Sequence, residues 1–569
     1  VVADTLTPRQ ILSLDKRHVS ALVLSHGGST SHAVILARSF NIPTLVGVAD
    51  ARSKLSGVNE AIVDAHLGLV IPEVTPEIQR YYDREQQKHE SRNERLRRFL
   101  YNPPTTPDGI TIDVAANVST AEELAPAFQS GADGIGLFRT EMLFMDRDAP
   151  PTEEEQFSVY LQAARAAGGK PVIIRTFDVG GDKPVPYLDL PHSTSAFSGY
   201  RGVRVYPQYR ELFRSQLRAI IRATAFGNIQ VMAPMVGTLD EVRWVRTQIR
   251  EVQQELADEG VEFDAAMRVG MMVEVPSAAF IIDQLSAEVD FFSIGTNDLM
   301  QNYLAVDRGS DEVAGLFNAL HPSFLRLLYK IVQDARKNGR WVGMCGEMAR
   351  SARALPLLVG LGLDELSMAS PDIASQKAAI SHLAAEECRG LLDRAMACRG
   401  IAEVEGVLAS FQGGNGSAGL LDLDLIIVDS DSTCRDEVIK EVIDAFFAAG
   451  RTTDPGRLET AVWAREETYS TGLGHGFAIP HCRSDAVTAN SIGVVRLAKP
   501  VDWESVDGQP VRFVILLAMR ESDANGTHMK VFSKLARRLM NEDFRERMLA
   551  ATDRRSILAG LRDELGLAG

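Results

Sequence analysis

Eight short apolar runs between Ile110 and Ser370 constrain the fold of this chain more than any other feature. Helical patterns separate the runs, which are TIDVAANV, DGIGLF, PVIIRTF, IQVMAPMV, RVGMMVEV, VDFFSIG, WVGMCG and DELSMA. Strands that are buried on both faces lose the alternation of polar and apolar residues, so near-continuous apolar runs are typical of parallel sheets. Eight such strands alternating with helices predict a closed, TIM-type (β/α)8 barrel.

The 569 residues suffice for roughly three or four domains. Apolar runs broken by Gly and Pro predict a small, incomplete α/β domain at 1–76, and a charged run of strong helix formers predicts a linker helix within 77–107. The barrel is expected at 108–400, a linker at 401–418 and a second α/β domain at 419–569. The fold class is therefore α/β. Because the sequence starts inside the first domain without an initiator Met, we expect an N-terminal truncation.

The overall composition narrows the classes of function. The formal net charge of -16 argues against nucleic acid as a partner. No apolar run approaches the length of a membrane span. The five cysteines form no CxxC pair, and such sparse thiols in a long chain favour a cytoplasmic location.

A first candidate site lies in the segment HGGSTSHAVILAR, where glycines and small hydroxyl residues lead to His32 and a helical pattern. Amide groups at the start of a helix favour an anion, and a neutral imidazole nitrogen is a competent nucleophile toward phosphorus. The alternative for this pattern alone is a Gly-rich turn with a structural histidine. The longer segment GGSTSHAVILARSFNIPTLVG closely resembles the phosphohistidine swivelling domain of enzyme I, phosphoenolpyruvate (PEP) synthase and pyruvate phosphate dikinase. That resemblance implies that His32 carries a phosphoryl group.

A second candidate site follows from polar residues that stand at or just after the ends of the predicted barrel strands. They are Arg139, Arg175, Glu274, Asn297, Asp298 and Cys345. Barrel enzymes place their chemistry at the C-terminal ends of the strands, so these side chains are expected to converge. Guanidinium groups bind phosphate and carboxylate in bidentate fashion, and separate carboxylates suit a magnesium ion. Taken singly, each residue is more typical of a surface ion pair or, for the cysteine, of a buried apolar position.

The barrel region resembles the PEP-binding barrel of enzyme I along its full length. The matching segments are GLFRTEMLFMDRDAPPTEEEQ, IIRTFDVGGDK, MMVEVPSAA, FFSIGTNDLMQNYLAVDR and GMCGEMA. The resemblance implies that PEP is bound by Arg139, Arg175, Arg201, Asn297 and Arg308, that Glu274 and Asp298 hold Mg²⁺, and that Cys345 protonates enolpyruvate. One departure is SAFSGYRGVR, where the family usually has Asn-Pro-x-Leu-Gly before the arginine.

The C-terminal region contains TGLGHGFAIPHCRSDAV and, further along, GTHMKVFSKLARRL. Thr527 is expected to cap a helix and to place His528 near its positive end. The region resembles enzyme IIA of the fructose/mannitol type, which implies that His481 accepts a phosphoryl group and that His528 positions it. His475 stands where the family often has Asn, and we interpret it as a loop substitution.

Together the resemblances imply a PEP-dependent protein phosphotransferase of the bacterial sugar phosphotransferase system. PEP would phosphorylate His32, an HPr-type carrier would bring the group to His481, and IIB and IIC permease components would receive it. Enzyme I-like barrels also form homodimers. Two alternatives stay open: a regulatory relay that is not coupled to sugar transport, and an enzyme like PEP synthase or a dikinase, which requires an ATP-grasp domain.

Overall fold

The computed structural model describes the chain except for the following residues: 8–9, 12–13, 16–17, 27–33, 35–36, 38–39, 41, 66–67, 77, 80–81, 84–85, 87–95, 146, 181–184, 191–198, 307–315, 410, 412–419, 453, 522–532, 536 and 566–569. In the described part, no helix is both long and apolar enough to cross a membrane. The predictions for His32, Arg308 and His528 fall outside the described residues, as do residues 77, 80–81, 84–85 and 87–95 of the predicted linker helix.

The N-terminal region contains a parallel three-stranded sheet in the order β1 (Val2–Ala3), β2 (Leu22–Leu24) and β3 (Thr44–Leu45). It is followed by helix α1 (Ala51–Lys54) and an antiparallel hairpin of β4 (Ile62–Asp64) and β5 (Leu69–Ile71). A small core forms around Ile11, Leu22, Ala37 and Ile42. Met142, from the loop after a barrel strand, packs against this core, so the N-terminal region lies beside the barrel mouth.

The predicted barrel is confirmed, because all eight apolar runs form strands of one closed, parallel sheet. The strands are β6 (Asp113–Val118), β7 (Ile135–Arg139), β8 (Val172–Arg175), β9 (Ile229–Ala233), β10 (Val269–Val273), β11 (Phe291–Ile294), β12 (Trp341–Met344) and β13 (Glu365–Met368). Strand β13 pairs with β6 and closes the ring. Nearly all of these residues are buried, which explains why the runs show no polar alternation.

Helices surround the strands and cover their outer face. They are α2 (Leu124–Gln129), α3 (Glu153–Ala167), α4 (Arg210–Ala223), α5 (Leu239–Asp258), α6 (Pro276–Ala279), α7 (Ile282–Leu285), α8 (Thr296–Leu304), α9 (Pro322–Lys337), α10 (Leu355–Leu361), α11 (Ile373–Ile380) and α12 (Ala385–Ala397). Capping boxes start two of them, formed by Thr152 with Glu155 and by Thr238 with Glu241. Inside the ring, Leu137, Ile173, Met232, Met272 and Phe291 pack against one another and fill the lumen below the mouth.

The segment at 401–418 differs from the expected linker in its first half. Residues Ile401–Ala409 form helix α13, which packs against α12. Val404 is fully buried in the barrel core, with Ile401, Val407 and Leu408 partly buried beside it. These four apolar side chains explain the difference, because burying them against the barrel stabilises a helix. The Gly-rich sequence, which is typical of a linker, begins only at residue 412.

The C-terminal domain is a mixed sheet with helices on both faces. Its strands are β14 (Ile426–Ser430), β15 (Gly472–Gly474), β16 (Phe477–Ala478), β17 (His481–Ser484), β18 (Ser491–Val501) and β19 (Val511–Arg520), in the order β14-β18-β19-β16-β15 with β17 paired to β19. Helices α14 (Arg435–Ala448) and α15 (Pro455–Glu466) contribute to one core, and α16 (Glu542–Ala550) and α17 (Arg554–Leu565) to another. Gly450, with a φ of +68°, lies against His382 of the barrel, where a methyl group would come within 2.5 Å of the imidazole.

Candidate functional site

The described members of the predicted PEP site occupy one rim of the barrel. Arg139 and Arg175 are the last residues of β7 and β8 and are register partners. Glu274 directly follows β10, and Cys345 directly follows β12. Asp298 lies in the first turn of α8, after β11. The structure therefore places these side chains at the C-terminal ends of the strands, as the sequence predicts.

The guanidinium group of Arg175 is buried and held by two acidic side chains. Its Nη2 donates to Glu141 Oε1 at 2.5 Å and lies 3.5 Å from Asp178 Oδ2. The backbone N–H of Asp178 also donates to Glu141 Oε1, at 3.2 Å. This network of protein contacts fixes the arginine in one orientation, which is the preorganisation that electrostatic catalysis requires.

Arg201 shares one of these acidic partners. Its Nε and Nη2 donate to the two oxygens of Asp178 at 2.9 and 2.5 Å, and its Nη1 lies 3.4 Å from Asp298 Oδ1. The bidentate pair fixes the plane of the guanidinium. Sequence reasoning missed Glu141 and Asp178, although Glu141 stands two residues after the end of β7 and Asp178 three residues after the end of β8.

Arg139 differs from its two neighbours. Its side chain is half-buried, and no carboxylate in the described part of the chain forms an ion pair with it. It nevertheless lies close enough to Cys345 to lower the pKa of that thiol. A partly buried cation without a counter-ion favours an external anion at this point of the rim.

Glu274 and Asp298 form the acidic part of the mouth. Glu274 is fully buried, and its Oε1 accepts the backbone N–H of Met235 at 2.6 Å. Its Oε2 has no hydrogen-bond partner among the described residues. Burial, together with the charges of Asp298 and Asp178, raises the pKa of Glu274 to about 7. A buried carboxylate oxygen without a partner, beside a second carboxylate, fits a divalent cation.

This acidic pair does not form a complete metal cage. Among the described residues, no group of three or more His, Cys, Asp and Glu side chains could hold a metal ion. A cation at Glu274 and Asp298 would thus need oxygen ligands from substrate or water, as magnesium sites of phosphoryl-transfer enzymes commonly have.

Cys345 and Asn297 complete the rim. The thiol is buried, with Sγ 3.8 Å from the carbonyl of Ile294, and burial raises its pKa to about 11. It is therefore protonated at neutral pH and can act as an acid. Asn297 Oδ1 accepts the backbone N–H of Glu347 at 3.0 Å, which leaves the amide NH₂ as the group available to donate to a ligand.

The C-terminal domain contains a second candidate site, at His481. This half-buried residue starts β17, and its Nδ1 lies 3.0 Å from the carbonyl of Ile479. Because a carbonyl only accepts, Nδ1 must carry the proton. Arg465 Nε donates to Nε2 at 3.1 Å. The lone pair of the ring is thus on Nε2, and a nitrogen with a lone pair is chemically able to act as a nucleophile.

Arg465 was not predicted from the sequence. It lies in the last turn of α15, and only the packing of that helix against β17 brings it to His481. A second hydrogen bond, from Nη1 to the carbonyl of Tyr469 at 3.2 Å, holds the guanidinium in place. Its position beside Nε2 suits the stabilisation of a phosphoryl group on that atom.

We expect Arg465→Gln to slow phosphorylation of His481 by about tenfold, since it removes a charge-stabilising donor at the reacting nitrogen. The measurement is the rate at which a phosphorylated HPr-type carrier labels the C-terminal domain. Arg457→Gln is the matched control, because Arg457 lies in the same helix but pairs with Asp485 at 2.8 Å on the surface. Equal rates for both variants would remove Arg465 from the site.

Comparison with known sequences identifies three matched regions. The family described as the PEP-utilising enzyme mobile domain matches residues 1–68, and the PEP-binding domain of the same enzymes matches residues 93–385. The EIIA 2 family of the PEP-dependent sugar phosphotransferase system matches residues 419–564. Each candidate site therefore falls within a matched region.

Individual relatives extend over the full chain. Multiphosphoryl transfer protein 2 of Escherichia coli K12 is 46% identical over 567 residues, which cover 100% of this chain and 68% of that protein. The multiphosphoryl transfer protein of Shigella flexneri is 45% identical over 99% of this chain and 68% of its own length. A phosphoenolpyruvate-protein phosphotransferase of Bacillus sp. (strain S) is 41% identical over 68% of this chain and 67% of its own length. The chain thus belongs to the multiphosphoryl transfer proteins, enzymes of the PEP-dependent sugar phosphotransferase system.

Proposed function

We propose that this PEP-dependent phosphotransferase moves a phosphoryl group from PEP to His32, on to an HPr-type carrier, then to His481, and finally to a IIB component of a sugar permease. The observation that supports this route most is the convergence of three arginines, two carboxylates and one thiol on a single rim of the barrel. PEP requires each of these groups: cations for its phosphate and carboxylate, a metal, and an acid for its enol carbon.

The three arginines at the barrel mouth contribute to substrate binding in two different ways. Arg175 and Arg201 are already fixed by Glu141 and Asp178, so they offer oriented donors to the substrate. Arg139, which has no acidic partner in the described part, supplies the charge that the incoming anion neutralises. Cys345 then gives its proton to the enol carbon as pyruvate forms. The contact of the N-terminal region with Met142 beside the mouth supports a route in which this region presents its histidine to the phosphorus.

Membership of the PEP-utilising family implies a divalent metal cofactor. We propose that this cofactor is Mg²⁺ and that Glu274 and Asp298 hold it. The unpartnered Oε2 of Glu274 supports this assignment. When bound, the ion would neutralise phosphate and enolate charge. The protein's part is to hold both carboxylates beside the arginine rim, where Arg201 already contacts Asp298.

Glu274→Gln should weaken binding of Mn²⁺, a spectroscopic substitute for Mg²⁺, by at least about tenfold, the scale on which metal sites respond to loss of supporting carboxylates. Electron paramagnetic resonance of free Mn²⁺ gives the dissociation constant without any turnover. The surface variant Glu288→Gln is the matched control, because Glu288 pairs with Arg243 at 2.8 Å on the outside of the barrel. Unchanged affinity in Glu274→Gln would exclude this carboxylate as a ligand.

Protein partners are expected to dock around His481. Tyr469, whose backbone carbonyl accepts a hydrogen bond from Arg465 at 3.2 Å, is 66% exposed beside the site. An exposed aromatic residue beside a half-buried histidine suits successive contacts with an HPr-type carrier and a IIB component.

Several further properties belong to this proposal. We expect a homodimer formed through the barrel, whose surface exposes the large apolar side chains of Phe280 and Leu316. None of the five cysteines forms a disulfide bond, which supports a cytoplasmic location. The domain boundaries stay as proposed, except that residues 401–409 pack with the barrel rather than forming part of the linker, and nucleic acid stays excluded as a partner.

One experiment tests the whole route. The chain is incubated with radiolabelled PEP, an HPr-type carrier, a sugar and a membrane fraction that contains the permease. Label on the sugar supports a transport function. Label that reaches the C-terminal domain but never the sugar would favour a regulatory relay, and no label on the chain at all would contradict the proposal.

A further inference from the structure

Glu466 is a buried acidic residue at the end of helix α15, next in sequence to Arg465. Its side chain is 1% exposed and accepts hydrogen bonds through both oxygens. Oε1 accepts the indole N–H of Trp503 at 2.9 Å and the backbone N–H of Thr471 at 3.2 Å. Oε2 accepts the hydroxyl of Thr471 at 2.7 Å. These bonds fix the carboxylate in one orientation.

The bonds from Thr471 to Glu466 close the turn between α15 and β15. Within that turn, the backbone carbonyl of Tyr469 accepts a hydrogen bond from Arg465 Nη1 at 3.2 Å. Arg465 is therefore held twice, because it adjoins Glu466 in the chain and also bonds to the turn that Glu466 closes. In this position its Nε donates to Nε2 of His481 at 3.1 Å.

Thr471 also connects Glu466 to the other side of the imidazole. The backbone carbonyl of Thr471 accepts the N–H of Ile479 at 3.1 Å, which extends the antiparallel pairing of β15 with β16. The carbonyl of Ile479 in turn accepts a hydrogen bond from Nδ1 of His481 at 3.0 Å. Glu466 is thus linked to the Nε2 side of the ring through the turn and to the Nδ1 side through Thr471.

The charge of Glu466 is placed where an apolar residue would serve the fold equally well. Trp503 beside it is fully buried, and its backbone carbonyl accepts from Ser470 Oγ at 2.7 Å, so the turn is packed on all sides. The nearest cation, Arg435 Nη1, lies 3.8 Å from Glu466 Oε1. Burying a carboxylate costs free energy that a well-packed apolar side chain avoids, which favours a role in geometry over a role in stability.

We propose that Glu466 is a positioning residue for the phosphorylation of His481. It holds Arg465 and the carbonyl of Ile479 on opposite sides of the imidazole, which keeps the proton on Nδ1 and the lone pair on Nε2. This inference rests on the proposed role of His481 as a phosphoryl acceptor. Glu466 is too deeply buried to touch a carrier protein, so it acts only through the residues that it orients.

The first measurement is the rate at which a phosphorylated HPr-type carrier labels the C-terminal domain of the full chain, over a range of carrier concentrations. Thr471→Val keeps the shape but removes the hydroxyl, and it should lower the maximal rate by about tenfold, the scale of one lost hydrogen bond to a charged group. Glu466→Ala should be at least as slow. The half-saturating concentration should not change, because the buried residues do not contact the carrier. Thr471→Ser restores the hydroxyl and should recover most of the rate.

Glu441→Ala is the matched control. Glu441 lies in the same domain and accepts the hydroxyl groups of Ser430 and Ser432 at 2.5 and 3.0 Å. Ser430 ends β14, which β18 and β19 separate from the strand of His481. This variant loses a comparable carboxylate and should label at the wild-type rate. An equally slow control would show that the effect is one of general stability and would overturn the inference.

Nuclear magnetic resonance of the imidazole nitrogens gives a readout that a loss of stability alone would not move. In a chain with ¹⁵N-labelled histidine, the signals of His481 are identified by their absence from His481→Ala. The wild type and Thr471→Ser should show the tautomer with the proton on Nδ1. Thr471→Val and Glu466→Ala should show both tautomers in exchange.

The inference is overturned if Thr471→Val labels at the wild-type rate, if Thr471→Ser is as slow as Thr471→Val, or if the ring signals of His481 are unchanged in a slow Thr471 variant. Circular dichroism establishes which variants are folded, and the two Thr471 variants decide if Glu466→Ala is not. His481→Ala separates this inference from the proposed function. If its C-terminal domain is still labelled, the proposed acceptor is wrong. If it is unlabelled while Thr471→Val behaves like the wild type, only the positioning role fails.

Discussion

Arg139→Ala should lower PEP-dependent phosphorylation of the chain by on the order of a hundredfold or more, the loss expected when a donor that stabilises transition-state charge is removed. Arg139 is the rim arginine without an acidic partner in the described part of the chain, so its charge is the one that the substrate would neutralise. The measurement is the rate of label incorporation from radiolabelled PEP in a rapid-quench experiment.

Two further variants sharpen this result. Arg139→Lys keeps the charge but not the bidentate geometry, and it should fall between wild type and Arg139→Ala. Arg243→Ala removes an arginine from the outside of the barrel, where it pairs with Glu288, and should label at the wild-type rate. If Arg139→Ala also labels at the wild-type rate, the arginine rim does not bind PEP.

Substitution of His481 by Ala should abolish phosphorylation of the C-terminal domain and leave labelling of the N-terminal region by PEP intact. The physical reason is that Nε2 of His481 carries the lone pair of the ring, because Nδ1 donates to the carbonyl of Ile479. Proteolysis after labelling, followed by mapping of acid-labile phosphate, distinguishes the two regions.

His475→Ala is the matched control for this variant. His475 lies in the same segment, but its φ is 55° and its backbone N–H donates to Asp507 at 2.8 Å, as expected for a loop residue. This variant should transfer label normally. Loss of label from both regions in His481→Ala would mean that the order of the relay is wrong.

The barrel was predictable because its signal is local. Each strand is a run of buried residues, and eight such runs can be read from the sequence without any knowledge of tertiary contacts. The placement of Arg139, Arg175, Glu274 and Cys345 follows from the same rule, since all four stand at or just after strand ends. Their roles in binding and catalysis stay predictions, as do those of His32, Arg308 and His528.

The supporting residues were not predictable in this way. Glu141 and Asp178 matter because the loops after β7 and β8 bring them to Arg175, and Arg465 matters because α15 packs against β17. The pairs Glu141–Arg175 and Arg465–His481 join segments that are separated in sequence, and Asp178, although only three residues after Arg175, hydrogen-bonds mainly to Arg201. The helix at Ile401–Ala409 was missed for a different reason. The Gly-rich stretch that follows it led to a predicted linker that begins too early in the chain.

Asp178 accepts hydrogen bonds from Arg201 through both of its oxygens and also lies 3.5 Å from Arg175. Because both guanidinium groups contact the same carboxylate, a substitution at Asp178, Arg175 or Arg201 changes the free-energy effect of a substitution at either of the other two positions. During divergence of such proteins, these positions should be inherited together, and a lineage that loses the aspartate should need compensating changes at both arginines before activity returns.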